Sequence, residues 1–282
     1  MRDPSEARGE GGPRHDRVVV LGCGYTGEAI ARRAHAQGRA VVVTSRRAER
    51  REELRARGFT VETTPTDATA AADLCRGAFA VVAFPPDGAT DRAVAPGLGV
   101  AAAVTYLSTT GVYPLDSGLV DDDTPVMEHP PQRVAARLAA EDAYRAVGAT
   151  VLRAPGIYGA DRGLHVRVVS GAHRVPGDGT RFLSRIHVDD LAAFVLASER
   201  ARGQTFVVGD SEPAPHIDVV RWICHEYGVP EPPSVPIESV HETLRGNRRV
   251  DASRAARALG VTLRYPSYRD GMRREQGVSR PE

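Results

Sequence analysis

From Arg17 onward, short continuous apolar runs alternate with stretches of helical period. The runs V-V-V-L (Val18–Leu21), A-V-V-V-T (Ala40–Thr44) and A-F-A-V-V-A-F (Ala78–Phe84) contain almost no polar residue. A strand that is apolar at every position has both faces covered, the habit of a parallel sheet flanked by helices. Helices are predicted over Glu28–Gln37 with Gly38 as the stop, over Ala48–Arg57 before Gly58, and around Ala70–Arg76. F-T-V-E-T after Gly58 supplies another strand. Further strands are predicted at Ala103–Leu107, Thr150–Arg153 and Thr205–Val208, and helices at Val134–Val147 and Asp190–Glu199. The fold class expected is α/β, a doubly wound parallel Rossmann sheet over residues 17–160, with 187–209 returning to it. From Glu212 to Pro236 prolines surround a single helix, Ile217–Tyr227. Residues 161–186 and 210–282 are therefore expected to form a small C-terminal substrate lobe. Residues 1–16, rich in Gly, Arg, Glu and Pro without apolar periodicity, are expected to be a disordered tail, and Arg280–Glu282 to fray.

Composition narrows the class. Lysine plus arginine is 37 against 36 acidic residues in 282, a formal net charge of +1, which argues against a nucleic-acid-coating protein. No apolar run approaches the roughly 20 residues that span a bilayer. The polar start carries no signal-peptide core. Cys23, Cys75 and Cys224 lie far apart, with neither zinc-ligand spacing nor a disulfide framework. A reduced, cytoplasmic enzyme acting on a small molecule, with no membrane, nucleic-acid or metal partner, is expected. Asp121-Asp122-Asp123 has no histidine beside it and reads as a solvated loop.

The strongest chemical signal is G-C-G-Y-T-G, Gly22 to Gly27, between a strand and a helix. Gly22 permits the tight turn, Gly24 lets backbone approach a pyrophosphate, and Gly27 lets helix and strand pack closely. Tyr25 and Thr26 complete the loop, and the helix N-terminus offers free N–H groups to phosphates. A dinucleotide is the expected cofactor. The second strand ends T-S-R-R, Thr44 to Arg47, where an NAD site ordinarily carries a carboxylate for the ribose. The hydroxyl of Ser45 and the guanidinium groups of Arg46 and Arg47 suit a 2′-phosphate, favouring NADP (NADPH) over NAD. Cys23 meets the loop's need for a small residue and is not expected to be a reactive thiol.

Four more stretches follow in order: S-T-T-G-V-Y (Ser108–Tyr113), L-x-x-E (Leu138–Glu141), L-R-A-P-G-I-Y-G (Leu152–Gly159) and S-R-I-H-V-D-D-L-A (Ser184–Ala192). With the glycine loop they resemble the extended short-chain dehydrogenase/reductase superfamily, the NAD(P)-dependent epimerase/dehydratase group, over about residues 17 to 275. The C-terminal segments G-N-R-R-V-D and L-R-Y-P-S-Y-R-D-G resemble an atypical bacterial branch of it. The resemblance implies a Ser/Thr–Tyr–Lys chemistry in which the phenol exchanges a proton with substrate. Thr109 takes the Ser/Thr position. Where Tyr-x-x-x-Lys is expected, this chain reads R-V-A-A-R, with Arg133 for the tyrosine and Arg137 for the lysine. Arginine stays charged at neutral pH and is no proton donor. Arg137 could keep the positional role of the lysine. Arg133 one turn earlier then adds a second cation, which either holds an anionic substrate or is simply exposed.

Other candidates are weaker. Tyr113 at a strand end is a further proton carrier to test, Tyr158 is expected near the nicotinamide, and His129 lies in a proline-rich loop. His187 reads as structural, with Asp189 or Asp190 capping the next helix. Arg181 and Arg185 are expected to point into the substrate lobe. Leu183 stands where the family's R-D-F/Y-I-H pattern has its arginine, so a sugar-nucleotide substrate is not implied. Three functions fit: an NADP-dependent oxidoreductase with a modified site acting on a small or anionic metabolite, an epimerase/dehydratase with a tightly held cofactor, and a non-catalytic NADP-binding redox sensor. A homodimer is compatible with the family but unmarked.

Overall fold

The computed structural model describes residues 15–273. The expected disorder of residues 1–14 and fraying of 280–282 lie outside them. Seven parallel strands form the central sheet: β1 (Arg17–Leu21), β2 (Ala40–Thr44), β3 (Thr60–Glu62), β4 (Phe79–Val82), β5 (Ala103–Thr109), β6 (Thr150–Ala154) and β7 (Thr205–Val207). Their order across the sheet is β7-β6-β5-β4-β1-β2-β3. It is a doubly wound Rossmann-type α/β fold.

The inner strands feed two cores by alternation, while the edge strand β3 buries only Val61. Val18 and Val20 of β1 pack with Val43, Phe79 and Phe206 on one face, against α1 (Tyr25–Ala36) and the helix Val188–Ala197. Val19 and Leu21 face the other side with Ala80, Val82 and Tyr106, under α3 (Ala68–Cys75) and α4 (Gln132–Arg145). This two-sided burial is why the strands read as unbroken apolar runs. α2 (Ala48–Ala56) buries only Leu54, consistent with its charged sequence. The Val188–Ala197 helix (α5) packs on α1, and β7 closes the sheet beyond β6.

Sheet order reverses between β1 and β4, so the crevice opens where the turn after β1 leaves the sheet. The small lobe gathers Tyr158, Val168, Val175, Tyr268 and Met272 around α6 (His216–Tyr227), with Trp222 edge-on to Tyr268 at 5.5 Å between ring centres. One expected boundary is corrected. Ala255 and Ala256 of α7 (Ser253–Leu259), with Val261 and Leu263, pack into the sheet's first core rather than the lobe. Asp190 explains part of this return: its carboxylate accepts from the backbone N–H of Arg264 (2.8 Å) and Tyr265 (2.9 Å). It does not cap α5, and neither does Asp189. The cap is His187, whose Nδ1 accepts from the Asp189 N–H at 3.2 Å. The acidic run is likewise no solvated loop throughout. Asp122 is 4% exposed, accepts from Val207 N on the edge strand at 2.5 Å and pairs with Arg254.

Candidate active site

The crossover from β1 to α1 is built almost wholly from backbone. Gly22 sits at φ 93°, and a β-carbon there would meet Phe84 at 2.7 Å. One on Gly27 would fall 2.6 Å from the Gly22 carbonyl, whereas Gly24 faces open space. No side chain caps α1, so the N–H groups of Tyr25, Thr26 and Gly27 are left to a ligand. Thr44 at the end of β2 clamps the turn: its carbonyl accepts from Cys23 N (2.7 Å) and its Oγ1 from Gly22 N (3.0 Å). The bare helix end, the clamped turn and the open side of Gly24 fit a dinucleotide pyrophosphate. The Cys23 thiol is buried, and that burial pushes its pKa up to about 12, far from a reactive thiolate.

At the tip of β2, Ser45 Oγ accepts from Arg47 N and Arg47 is exposed. Arg46 pairs with Asp87 at 3.0 Å, both being substantially open to solvent. Two further arginines of the charged helix α2, which no local motif marks in the sequence, reach the same region. Arg50 donates to the Cys23 carbonyl (3.2 Å) and to Glu28 (2.5 Å), and Arg51 donates to the carbonyls of Ser45 and Arg46. They brace the two loops that would flank the adenosine ribose. Tyr25 reaches across the crevice, with Arg162 4.9 Å above its ring and its phenol pushed up to about 12 by burial.

Thr109, Arg133 and Arg137 line one recess beside Pro85 and Pro86. Thr109 Oγ1 accepts from Gly111 N at 3.1 Å, leaving its hydroxyl proton free to donate. Arg137 Nη1 donates to the Tyr106 hydroxyl (3.0 Å) and the Leu107 carbonyl (3.3 Å), which holds the side chain against β5. Arg133 ion-pairs with Glu242 of the small lobe, both about half exposed. Thr109, Arg133 and Glu242 also line a cavity of about 790 Å³ between the two lobes. Glu242 had no signal in the sequence; only the fold brings it opposite α4.

Tyr113 does not join them, which corrects the expectation that it could carry a proton. It is fully buried, its hydroxyl accepts from Arg153 at 2.9 Å, and burial raises its pKa. The short turn Thr110–Val112 rotates it inward onto a cluster with Val120 and Val134. Arg153 in turn pairs with Glu141 at 2.8 Å, to which Ser108 and Arg145 also donate. Burial pushes the Glu141 carboxyl upward, but these donors and the Arg153 charge hold it below the usual range. Tyr158 is buried beneath the small lobe, donating to the Ser267 carbonyl at 3.4 Å and edge-on to His187. His129 is exposed. Arg181 ties Asp116 to the Arg245 carbonyl, whereas Arg185 is buried in the lobe wall. No group of three or more His, Cys, Asp or Glu able to hold a metal occurs among the described residues, and no described helix is long and apolar enough to cross a membrane.

Residues 17–101 match the family described as NADP oxidoreductase, coenzyme F420-dependent. A 3-diazoavenalumate denitrifying reductase from a Streptomyces species is 31% identical over 183 residues, covering 56% of this chain; the chain spans 59% of that relative. A conserved protein of unknown function from Silicibacter pomeroyi is 30% identical with a TM-score of 0.78, covering 91% of this chain and 96% of its own. The fold is shared by a human epimerase-family protein solved with NADPH (16%, TM-score 0.70, 91% and 97% covered). It is shared also by a dTDP-glucose 4,6-dehydratase from Streptomyces venezuelae solved with NAD (18%, TM-score 0.74, 91% and 94%). The chain thus has the fold of the NAD(P)-binding epimerase and dehydratase structures, and its residues 17–101 are similar to an NADP oxidoreductase family.

Proposed function

We propose that the protein is an NADPH-dependent reductase whose reaction requires no proton from a phenol. The observation that carries this is the recess itself. Thr109, Arg133 and Arg137 line it at the positions that the resemblance gives to the Ser/Thr, Tyr and Lys, and the one nearby tyrosine of the motif is buried on Arg153. Preference for the phosphorylated cofactor rests on Arg46 and Arg47 and on the lack of a carboxylate at the end of β2. NADPH, when bound, supplies the hydride. Arg137, held by Tyr106 and Leu107, supports the cofactor side of the recess as a fixed cation. Arg133, half exposed, is the cation that lines the cleft. It can exchange Glu242 for an anionic group of the substrate, a charge-assisted contact of the same kind.

Such a site suits a reduction in which the displaced electron pair leaves with a departing group. The Streptomyces relative's name describes one: removal of nitrogen from a diazo compound. A hydride that bonds to a diazonium carbon while the C–N pair leaves with dinitrogen balances atoms and charge without a proton. The test is NADPH oxidation against a panel of aryl-diazo acids, keto acids, enones and imines. We expect turnover with the diazo acids at a rate nearly flat between about pH 6 and 9. Turnover confined to carbonyl substrates, with a rate falling as a single acid deprotonates, would overturn the reading.

A further inference from the structure

The small lobe holds a second cavity, about 520 Å³, which shares Gly156, Leu183, Ser184 and Leu244 with the larger one that Arg133 lines. Its walls are mostly apolar, with Ile157, Leu164, Leu183 and Met272 among them. Set into these walls are Arg185, 5% exposed, and two histidines, His173 and His216, at 0% and 2%. The two imidazoles meet Nε2 to Nε2 at 2.8 Å. Burial pushes both below their ordinary range, His173 to about 4 and His216 to about 3, so both are neutral near pH 7.

Neutrality fixes the protons. An N–H···N contact needs one donor and one acceptor. The ring that donates from Nε2 has a bare Nδ1, and the ring that accepts at Nε2 must carry its hydrogen on Nδ1. The pair therefore ends in one acceptor and one donor, and neither Nδ1 has a partner. Arg185 Nη1 also lacks a partner. No carboxylate lies within ion-pair distance of Arg185 among the described residues; the largest opposite charge acting on it is that of the buried Asp210, whose own burial favours its neutral form. The charges acting on the histidines are all cationic, from Arg167, Arg174 and Arg185. Buried donors are almost always satisfied, so an unpaired guanidinium N–H and an imidazole N–H in residues that line one cavity call for an acceptor.

We infer that this cavity is a binding subsite for a carboxylate carried on an apolar body, with Arg185 and the His173–His216 pair as its polar wall. The apolar walls take the body, and the shared rim lets the far end reach Thr109 and Arg133. The inference deepens the reductase reading and rests on it for the direction of substrate entry.

The test is calorimetric titration of the full-length protein with cinnamate, its neutral amide cinnamamide, and phenyl phosphate, each with and without saturating NADPH. Expected is saturable cinnamate binding that NADPH does not displace, with cinnamamide at least about tenfold weaker. Arg185→Met should lower cinnamate affinity by at least about tenfold while still binding NADPH. In the unaltered protein, the ring nitrogen shifts of His173 and His216, assigned with His173→Asn, should move with cinnamate and stay still with cinnamamide, a readout that survives if Arg185→Met fails to fold. Equal affinity for acid and amide, displacement by NADPH, or unmoved histidine shifts overturns the subsite. Tighter binding of phenyl phosphate than of cinnamate overturns the carboxylate assignment. Cinnamate binding without any NADPH binding would instead sink the reductase reading and leave the subsite standing.

Discussion

The coenzyme crevice and the small-lobe cavity solve the binding problem in opposite ways. The crevice is made of backbone: glycines, helix-end N–H groups and the Thr44 clamp, with the arginines around it tied to carbonyls and carboxylates. In the lobe, atoms of His165, His173, Arg185, Asp210, His216 and Tyr268 are buried without partners. A buried polar group left unpaired costs about 1–3 kcal/mol. The crevice thus holds its shape without a ligand, whereas the lobe gives up stability that a bound acceptor would restore. The difference predicts that steric changes should ruin the first, while charge changes should tune the second.

The sharpest break is Gly27→Val. With the Gly22 carbonyl 2.6 Å from the new β-carbon, the loop must shift, and NADPH binding should be lost altogether in a fluorescence titration. Retained affinity would show that the crevice is not shaped by close packing. Next, Arg133→Ala should lower kcat/KM by about 100-fold with NADPH affinity unchanged, whereas Glu242→Gln should cost only a few-fold. Equal losses would mean that the cross-lobe ion pair, rather than an anion contact, is what matters. Arg46→Glu should weaken NADPH by roughly 10- to 100-fold and leave NADH little altered, which dialysis with both coenzymes would measure. Asp87→Ala frees Arg46 and should tighten NADPH slightly.

The smallest effect concerns pH and belongs to the lobe. Burial lifts Asp210 to about 7 against the partial relief of the Arg185 charge. A carboxyl raised on folding contributes stability below its unfolded pKa of about 4, and that contribution fades as pH rises through 7. The depressed histidines act in the other direction: their contribution is present above about 6.5 and is lost as pH falls through 4 to 3. Denaturant melts should therefore show Asp210→Asn gaining stability relative to the parent at pH 8 but not at pH 5. An unchanged difference between the two pH values would mean that Asp210 is ionised in the folded lobe.

What the chain reveals unaided follows from how local each feature is. The inner strands of the central sheet are apolar on both faces, so continuous runs mark them. The glycine loop is six adjacent residues whose spacing carries its own geometry. Thr109, Arg133 and Arg137 are legible because they keep positions within ordered motifs, and Arg185 was within reach for the same reason. Tertiary packing alone decided the rest. A buried tyrosine and a cleft-facing one look identical in sequence, and the turn before Tyr113 sent it inward. Asp190 looked like a helix cap but holds the returning C-terminal segment. His173 and His216 are 43 residues apart and share one hydrogen bond, and Glu242 meets Arg133 from the far lobe. No periodicity encodes such pairings, because they depend on where chain segments distant in sequence come to rest in the folded molecule.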